Sequence, residues 1–156
     1  MITIREAAHG EIEELIPILK LAERSERGLR WGLANLTDAV YRMDDSQTVI
    51  GAATMRWRDD PCELNEIAVV MGYHGRGYGK QFVGWLLDEA RRRDKSALLV
   101  GTGNSSLDNI GFYQRCGFRM DHVRKNYFSY HERDFGELVY EYNIAMRDML
   151  VFRYEL

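Results

Sequence analysis

The chain of 156 residues is 46% hydrophobic and 29% charged, with a formal net charge of −3. That balance fits one globular domain over residues 1–156 and excludes a disordered chain or a generally basic nucleic-acid-binding surface. Two cysteines, Cys62 and Cys116, are too few for a disulfide framework, and no apolar run approaches the roughly 20 residues that span a bilayer; with no signal-peptide core after Met1, the expected setting is the cytoplasm, away from membranes.

Thr3 to Glu6 reads as a short opening strand. From Glu11 to Glu23, the residues Ile12, Leu15, Ile16, Leu19 and Ala22 recur at helical spacing, with Pro17 as a candidate kink. Arg24 to Arg30 is polar and closes at Gly28, and a second helix is expected from Arg30 to Leu36. Ala39 to Met43, Asp44 to Gln47 and Thr48 to Arg58 read as strand, turn and strand. After the turn at Asp59-Asp60-Pro61, Cys62 to Met71 is another strand. Tyr78 to Arg93 carries the clearest helical stripe, Phe82, Val83, Leu86, Leu87 and Ala90, and ends in three arginines that suit its dipole. A short strand follows from Ala97 to Val100, ending at Gly101-Thr102-Gly103. Leu107 to Cys116 reads as a helix stopped by Gly117, and strands are expected from Phe118 and over Met149 to Tyr154. The order predicts a mixed α/β domain, not a repeated βαβ ladder.

A strand, a glycine-rich turn and a helix N-terminus meet at Gly75-Arg76-Gly77-Tyr78-Gly79-Lys80. Unpaired N–H groups and the positive end of a helix dipole favour a phosphate there, the glycines permit close approach, and Arg76 and Lys80 add charge. A Walker loop would need Ser or Thr after Lys80, where Gln81 stands. The dinucleotide fingerprint would need a third glycine at the position of Lys80.

On these residues the chain resembles the GNAT superfamily of N-acetyltransferases, whose pyrophosphate turn aligns with His74-Gly75-Arg76-Gly77-Tyr78-Gly79. His74 departs from the usual Gln or Arg. Glu63 to Val69 resembles the family's fourth strand, and Asn109 to Phe118 resembles its second signature, a Tyr followed three residues later by Gly-Phe. Gly101 to Ser106, with Phe112 to Arg119, also resembles a bacillus-type subgroup. The resemblance implies a twisted, largely antiparallel mixed sheet with splayed central strands and helices on both faces. The apolar parity of the fourth strand slips near Asn65-Glu66, where a β-bulge would restore it; the alternative is a strand buried on both faces.

The same resemblance implies acetyl-CoA as co-substrate and direct attack by an amine on its thioester. Ile67, Ala68 and Val69 would hold the acyl carbonyl and the pantetheine arm, with Gly75 to Lys80 on the pyrophosphate. Tyr113 would be the acid for the leaving thiolate, the alternative being a core aromatic beside Phe112. Glu63 is the candidate base, with Glu66 second; a solvated strand carboxylate is the alternative for either. The family's coenzyme-contacting asparagine falls at Ser106, flanked by Asn104 and Asn109. The four histidines and two cysteines show no metal-ligand spacing, so no metal is expected. Trp31, Tyr127, Phe128, Tyr130 and His131 are candidates for an aromatic acceptor pocket. A small-molecule amine is the expected acceptor, a homodimer is common in the family, and the alternatives are a protein N-terminal or lysine acetyltransferase and a non-catalytic acyl-CoA-binding module.

Overall fold

Ala39–Asp45 (β2) and Thr48–Arg56 (β3) are buried almost residue by residue, not alternately, which requires cover on both faces of the sheet they build. The computed structural model describes residues 1–156 and shows helices on each side. Ile2–Glu6 (β1), Cys62–Val69 (β4), Ala97–Gly103 (β5), Arg119–Arg124 (β6) and Met149–Glu155 (β9) complete a seven-stranded sheet of order β1-β2-β3-β4-β5-β9-β6. Every pairing is antiparallel except that of β4 with β5. The expected mixed sheet with helices on both faces is therefore present.

Tyr78–Arg92 (α3) is the crossover between the parallel strands, and its stripe from Phe82 to Ala90 joins a core with Tyr41, Met55, Leu64, Val100 and Phe152. On the other face, Ile12–Leu19 (α1) and Glu26–Asn35 (α2) bury Leu15, Ile16, Leu19 and Leu29 against Val40 and Ala52. No helix is long and apolar enough to cross a membrane.

Two features of β4 shape the sheet centre. Thr54 pairs with Glu66 but Met55 with Leu64, so Asn65 is an extra residue, the bulge expected from the parity slip. Pairing of β4 with β5 covers only Cys62–Leu64 against Leu98–Val100. Beyond Leu64 the two strands part, which is the expected splay.

Several boundaries differ from expectation. The first helix ends at Leu19, and residues 20 to 23 form turns; Glu23 instead spends its carboxylate on the amide of Ser25 and the hydroxyl of Tyr130. The second helix starts at Glu26, capped by Ser25, whose Oγ accepts from the Gly28 amide at 2.9 Å. Gly28 is therefore inside a helix and terminates nothing. Asp44 and Asp45 belong to β2, with only Ser46 and Gln47 left in the turn, and Met71 lies in a short 3-10 turn beyond the end of β4. Gly101-Thr102-Gly103 is part of β5; side chains there would strike Met149 and Met146. Leu107–Arg115 (α4) and β6 stand close to expectation. Tyr130–Phe135 (α5) and the small hairpin Tyr140–Glu141 (β7) with Ile144–Ala145 (β8) have no counterpart among the expected elements.

Candidate active site

The turn before α3 is held by two left-handed glycines, Gly75 at φ +74° and Gly77 at φ +83°. A methyl group at either would meet nothing within 4 Å, so these glycines serve the backbone conformation and leave the outer side open. The amides of residues 75 to 80 donate to no acceptor in the protein, and the first to do so is Gln81, to the Gly77 carbonyl at 3.0 Å. A row of unpaired N–H groups at the positive end of a 15-residue helix is an anion site in waiting. His74 braces it, its Nε2 donating to the Val69 carbonyl at 2.6 Å. Arg76 lies over the Tyr73 ring at 5.4 Å. Gly79 has a different cause from its neighbours: a methyl there would come within 3.3 Å of the Phe112 ring, so it admits α4 to the first turn of α3.

Beside the turn lies the splayed edge of β4. The Val70 amide donates to Ile50 on β3, so by antiparallel alternation Ala68 also faces β3, while Ile67 and Val69 turn their backbone groups into the gap towards β5. Of the three expected contacts, Ile67 keeps open backbone groups and Val69 an open amide, its carbonyl being taken by His74. Ala68 does not, because its own are directed to β3.

On α4, Tyr113 is buried between Phe112, Phe118 and Phe152, with ring centroids 5.2, 5.9 and 6.0 Å away. Burial, with Cys116 adding to it, pushes the phenol well above its ordinary range, and no hydrogen bond within the protein holds it. Ser106 sits at the N-cap of α4 with no capping bond from its side chain. Asn109 is exposed and donates to Thr102 Oγ1 at 3.3 Å. Asn104 serves structure instead, accepting from the amides of Arg147 and Asp148 at 2.9 and 3.0 Å.

The face of the sheet under α2 is acidic. Glu66 donates its amide to Thr54 Oγ1 at 3.1 Å, and the same hydroxyl donates back to the Glu66 carboxylate. Burial pushes the carboxyl of Glu66 up to about 7, against the Thr54 bond that lowers it, with Glu23 and Glu63 raising it further. The other oxygen, Oε1, lies 3.8 Å from where a side chain on Gly32 would begin. Gly28, one turn earlier, leaves the same kind of room for the Tyr130 ring at 3.3 Å. Glu63 is committed to Arg124, which donates to it through Nη1 at 2.8 Å and Nη2 at 3.2 Å. The expected base is thus ion-paired, whereas the second candidate is half-buried and poised to titrate.

The roof is the segment 127 to 135, tied to the α1–α2 connection by two short bonds. Tyr130 donates to Glu23 at 2.5 Å and Ser25 donates to Asp134 at 2.5 Å. Tyr127, Phe128, Tyr130 and His131 stack on one another there. Trp31, expected among them, is 58% exposed on α2. The roof was hidden in the sequence because six helical residues carry no period; its one signal was the aromatic density from Tyr127 to His131.

Comparison with known proteins agrees with this geometry. Residues 8–118 match the model of the acetyltransferase (GNAT) family. An uncharacterized N-acetyltransferase of Bacillus subtilis, YvbK, is 32% identical over 96 residues, 62% of this chain and 60% of that relative, so the match spans less than two thirds of the curated protein. A GNAT family acetyltransferase from Elizabethkingia anophelis, solved with acetyl-CoA bound, is 28% identical with a TM-score of 0.86, over 99% of this chain and 98% of the other. An IAA acetyltransferase from Bacillus cereus is 31% identical with a TM-score of 0.86, over the whole of both chains.

Proposed function

The chain belongs to the GNAT family of acetyltransferases, and on that premise we propose that it moves an acetyl group from acetyl-CoA to the amine of a small molecule, both substrates being bound together. The observation that carries the proposal is the run of unpaired amides from 75 to 80 beside the open edge of β4. The turn fits a pyrophosphate, and the backbone groups of Ile67 with the amide of Val69 fit an extended amide-bearing arm and the acyl carbonyl. Acetyl-CoA, when bound, supplies the acyl group as an activated thioester.

The residues of the chain divide the proton work. An alkyl ammonium has a pKa near ~10.4, so little free amine exists at neutral pH. Glu66, pushed up to about 7 by burial, is the general base. Its carboxylate takes a proton from the ammonium and frees the lone pair that forms the new N–C bond. The second N–H proton, lost as the C–S bond breaks, passes to solvent. Glu63 is ion-paired with Arg124 and acts on Glu66 through its charge. Tyr113 faces the opposite demand, the departing sulfur. Its phenol is neutral at any working pH and more weakly acidic than a thiol (~8.5), so it stabilises the thiolate as a hydrogen-bond donor and does not surrender its proton outright.

A small acceptor is favoured over a protein chain by the two bonds that clip the roof to the α1–α2 connection. Release of free coenzyme A with a panel of small primary amines, against the same assay with lysine-containing peptides, tests the proposal. Acetyl-CoA binding by calorimetry without turnover of any amine or peptide would leave a binding module in its place.

A further inference from the structure

Resting on that transferase reading, the acidic face reports on the acceptor itself. Three carboxylates, Glu23, Glu63 and Glu66, share the space under the roof with one guanidinium, Arg124. Arg124 is taken up by Glu63 through both terminal nitrogens. Glu66 has the reacting amine to serve. Glu23 is left with no lysine or arginine: its oxygens accept from the Ser25 amide at 2.9 Å and the Tyr130 hydroxyl at 2.5 Å, both neutral donors.

A second observation marks the same spot. His131 is 3% exposed, and its Nε2 is directed at Glu23 Oε1 across 3.7 Å, beyond hydrogen-bond reach. Its other nitrogen, Nδ1, is buried with no partner. A buried imidazole without a hydrogen bond, beside a carboxylate that no lysine or arginine reaches, leaves polar demand unmet at this end of the roof. The walls are aromatic: Phe128 stacks on His131 at 5.2 Å, and Tyr127 meets Phe128 at 5.1 Å and Tyr130 at 6.4 Å. Carboxylate and aromatic faces together form the surroundings in which an ammonium group is held.

We infer that the acceptor carries a second cationic group, and that Glu23, with the rings of Tyr127 and Tyr130, holds that non-reacting ammonium while Glu66 faces the reacting one. The substrate class is a short α,ω-diamine or a longer polyamine. The spacing agrees. Glu66 Oε1 lies against Gly32 of α2, and the Tyr130 ring that leads to Glu23 lies against Gly28. Those positions are one helical turn apart, so the two anchor points are separated by roughly 6 Å along α2.

Steady-state acetylation of putrescine, cadaverine and spermidine is compared with that of butylamine and pentylamine, in the wild type and in Glu23→Gln. The wild type is expected to use diamines with a kcat/KM at least about 10-fold above monoamines of the same length, expressed mainly in KM. In Glu23→Gln, which keeps an acceptor oxygen but no charge, that ratio falls towards one. Monoamines and diamines used equally by the wild type, a measurement that needs no variant, overturns the inference and leaves the transferase reading standing. A ratio unchanged in Glu23→Gln also overturns it. Absence of turnover with every amine overturns both.

Discussion

Glu63 and Glu66 lie three residues apart on β4 and nevertheless face the same side of the sheet, because Asn65 between them is a bulge. In a regular strand that separation puts two side chains on opposite faces. The bulge thus gathers Glu63 with Arg124 and Glu66 with Thr54 under α2, within electrostatic reach of one another.

The first prediction concerns the cradle. Gly77→Val should abolish acetyl-CoA binding by calorimetry in a protein that still folds, since the added side chain meets no protein atom and only the left-handed backbone resists it, at about 1–2 kcal/mol. Arg76→Ala should weaken binding far less, because the amides carry the contact. Unchanged affinity in folded Gly77→Val would place the pyrophosphate elsewhere.

Tyr113→Phe keeps the ring among Phe112, Phe118 and Phe152 and removes only the hydroxyl. If the phenol donates to the leaving sulfur, turnover falls roughly 10–10²-fold, the scale of one hydrogen bond to a charged group, with acetyl-CoA affinity retained. The shape of the pH–rate profile should not change, as the phenol does not titrate in the working range. Wild-type turnover under conditions where chemistry limits the rate would remove Tyr113 from the reaction.

The cradle and α3 were legible because their signals are local: three glycines in fixed spacing, then a stripe of period 3.6 from Phe82 to Ala90. The bulge was legible too, as a slip in apolar parity across Asn65-Glu66. What the sequence hides is the choice between the carboxylates. Glu63 has the family position, but its partner Arg124 is 61 residues away and the Thr54 that clamps Glu66 is 12 away on another strand. Gly28 misleads for a similar reason: it reads as the end of a polar stretch while, inside α2, it makes room for Tyr130, a ring 102 residues further along the chain.

Stability should register Glu66 independently of activity. Its carboxyl is raised from 4.5 to about 7 by folding, so the folded state prefers the protonated form. The stability that this preference provides is complete below pH 4.5 and is lost as pH rises through about 7. Glu66→Gln, permanently neutral, should therefore melt above the wild type at pH 8, by up to about 3 kcal/mol, and the difference should shrink to nothing below pH 4.5. A difference independent of pH would mean that Glu66 is not desolvated.

The last prediction separates the two carboxylates by the sign of a shift. If Glu66 is the base, kcat/KM for an amine should climb as pH rises through about 7, and Glu66→Gln should lose that limb along with roughly 10² or more of the rate. Thr54→Val removes the hydrogen bond that lowers the Glu66 carboxyl. The limb should then move to higher pH. Glu63→Gln removes a neighbouring negative charge that raises Glu66 and releases Arg124 from its partner. Both changes favour the Glu66 carboxylate, so the limb should move to lower pH, with activity retained on its plateau. Were Glu63 the base, the pattern would invert: Glu63→Gln would erase the limb, and Thr54→Val would leave it in place. Opposite displacements in Thr54→Val and Glu63→Gln follow only if both residues act through the titration of Glu66. A profile unmoved in both variants would transfer the base to an ordered water.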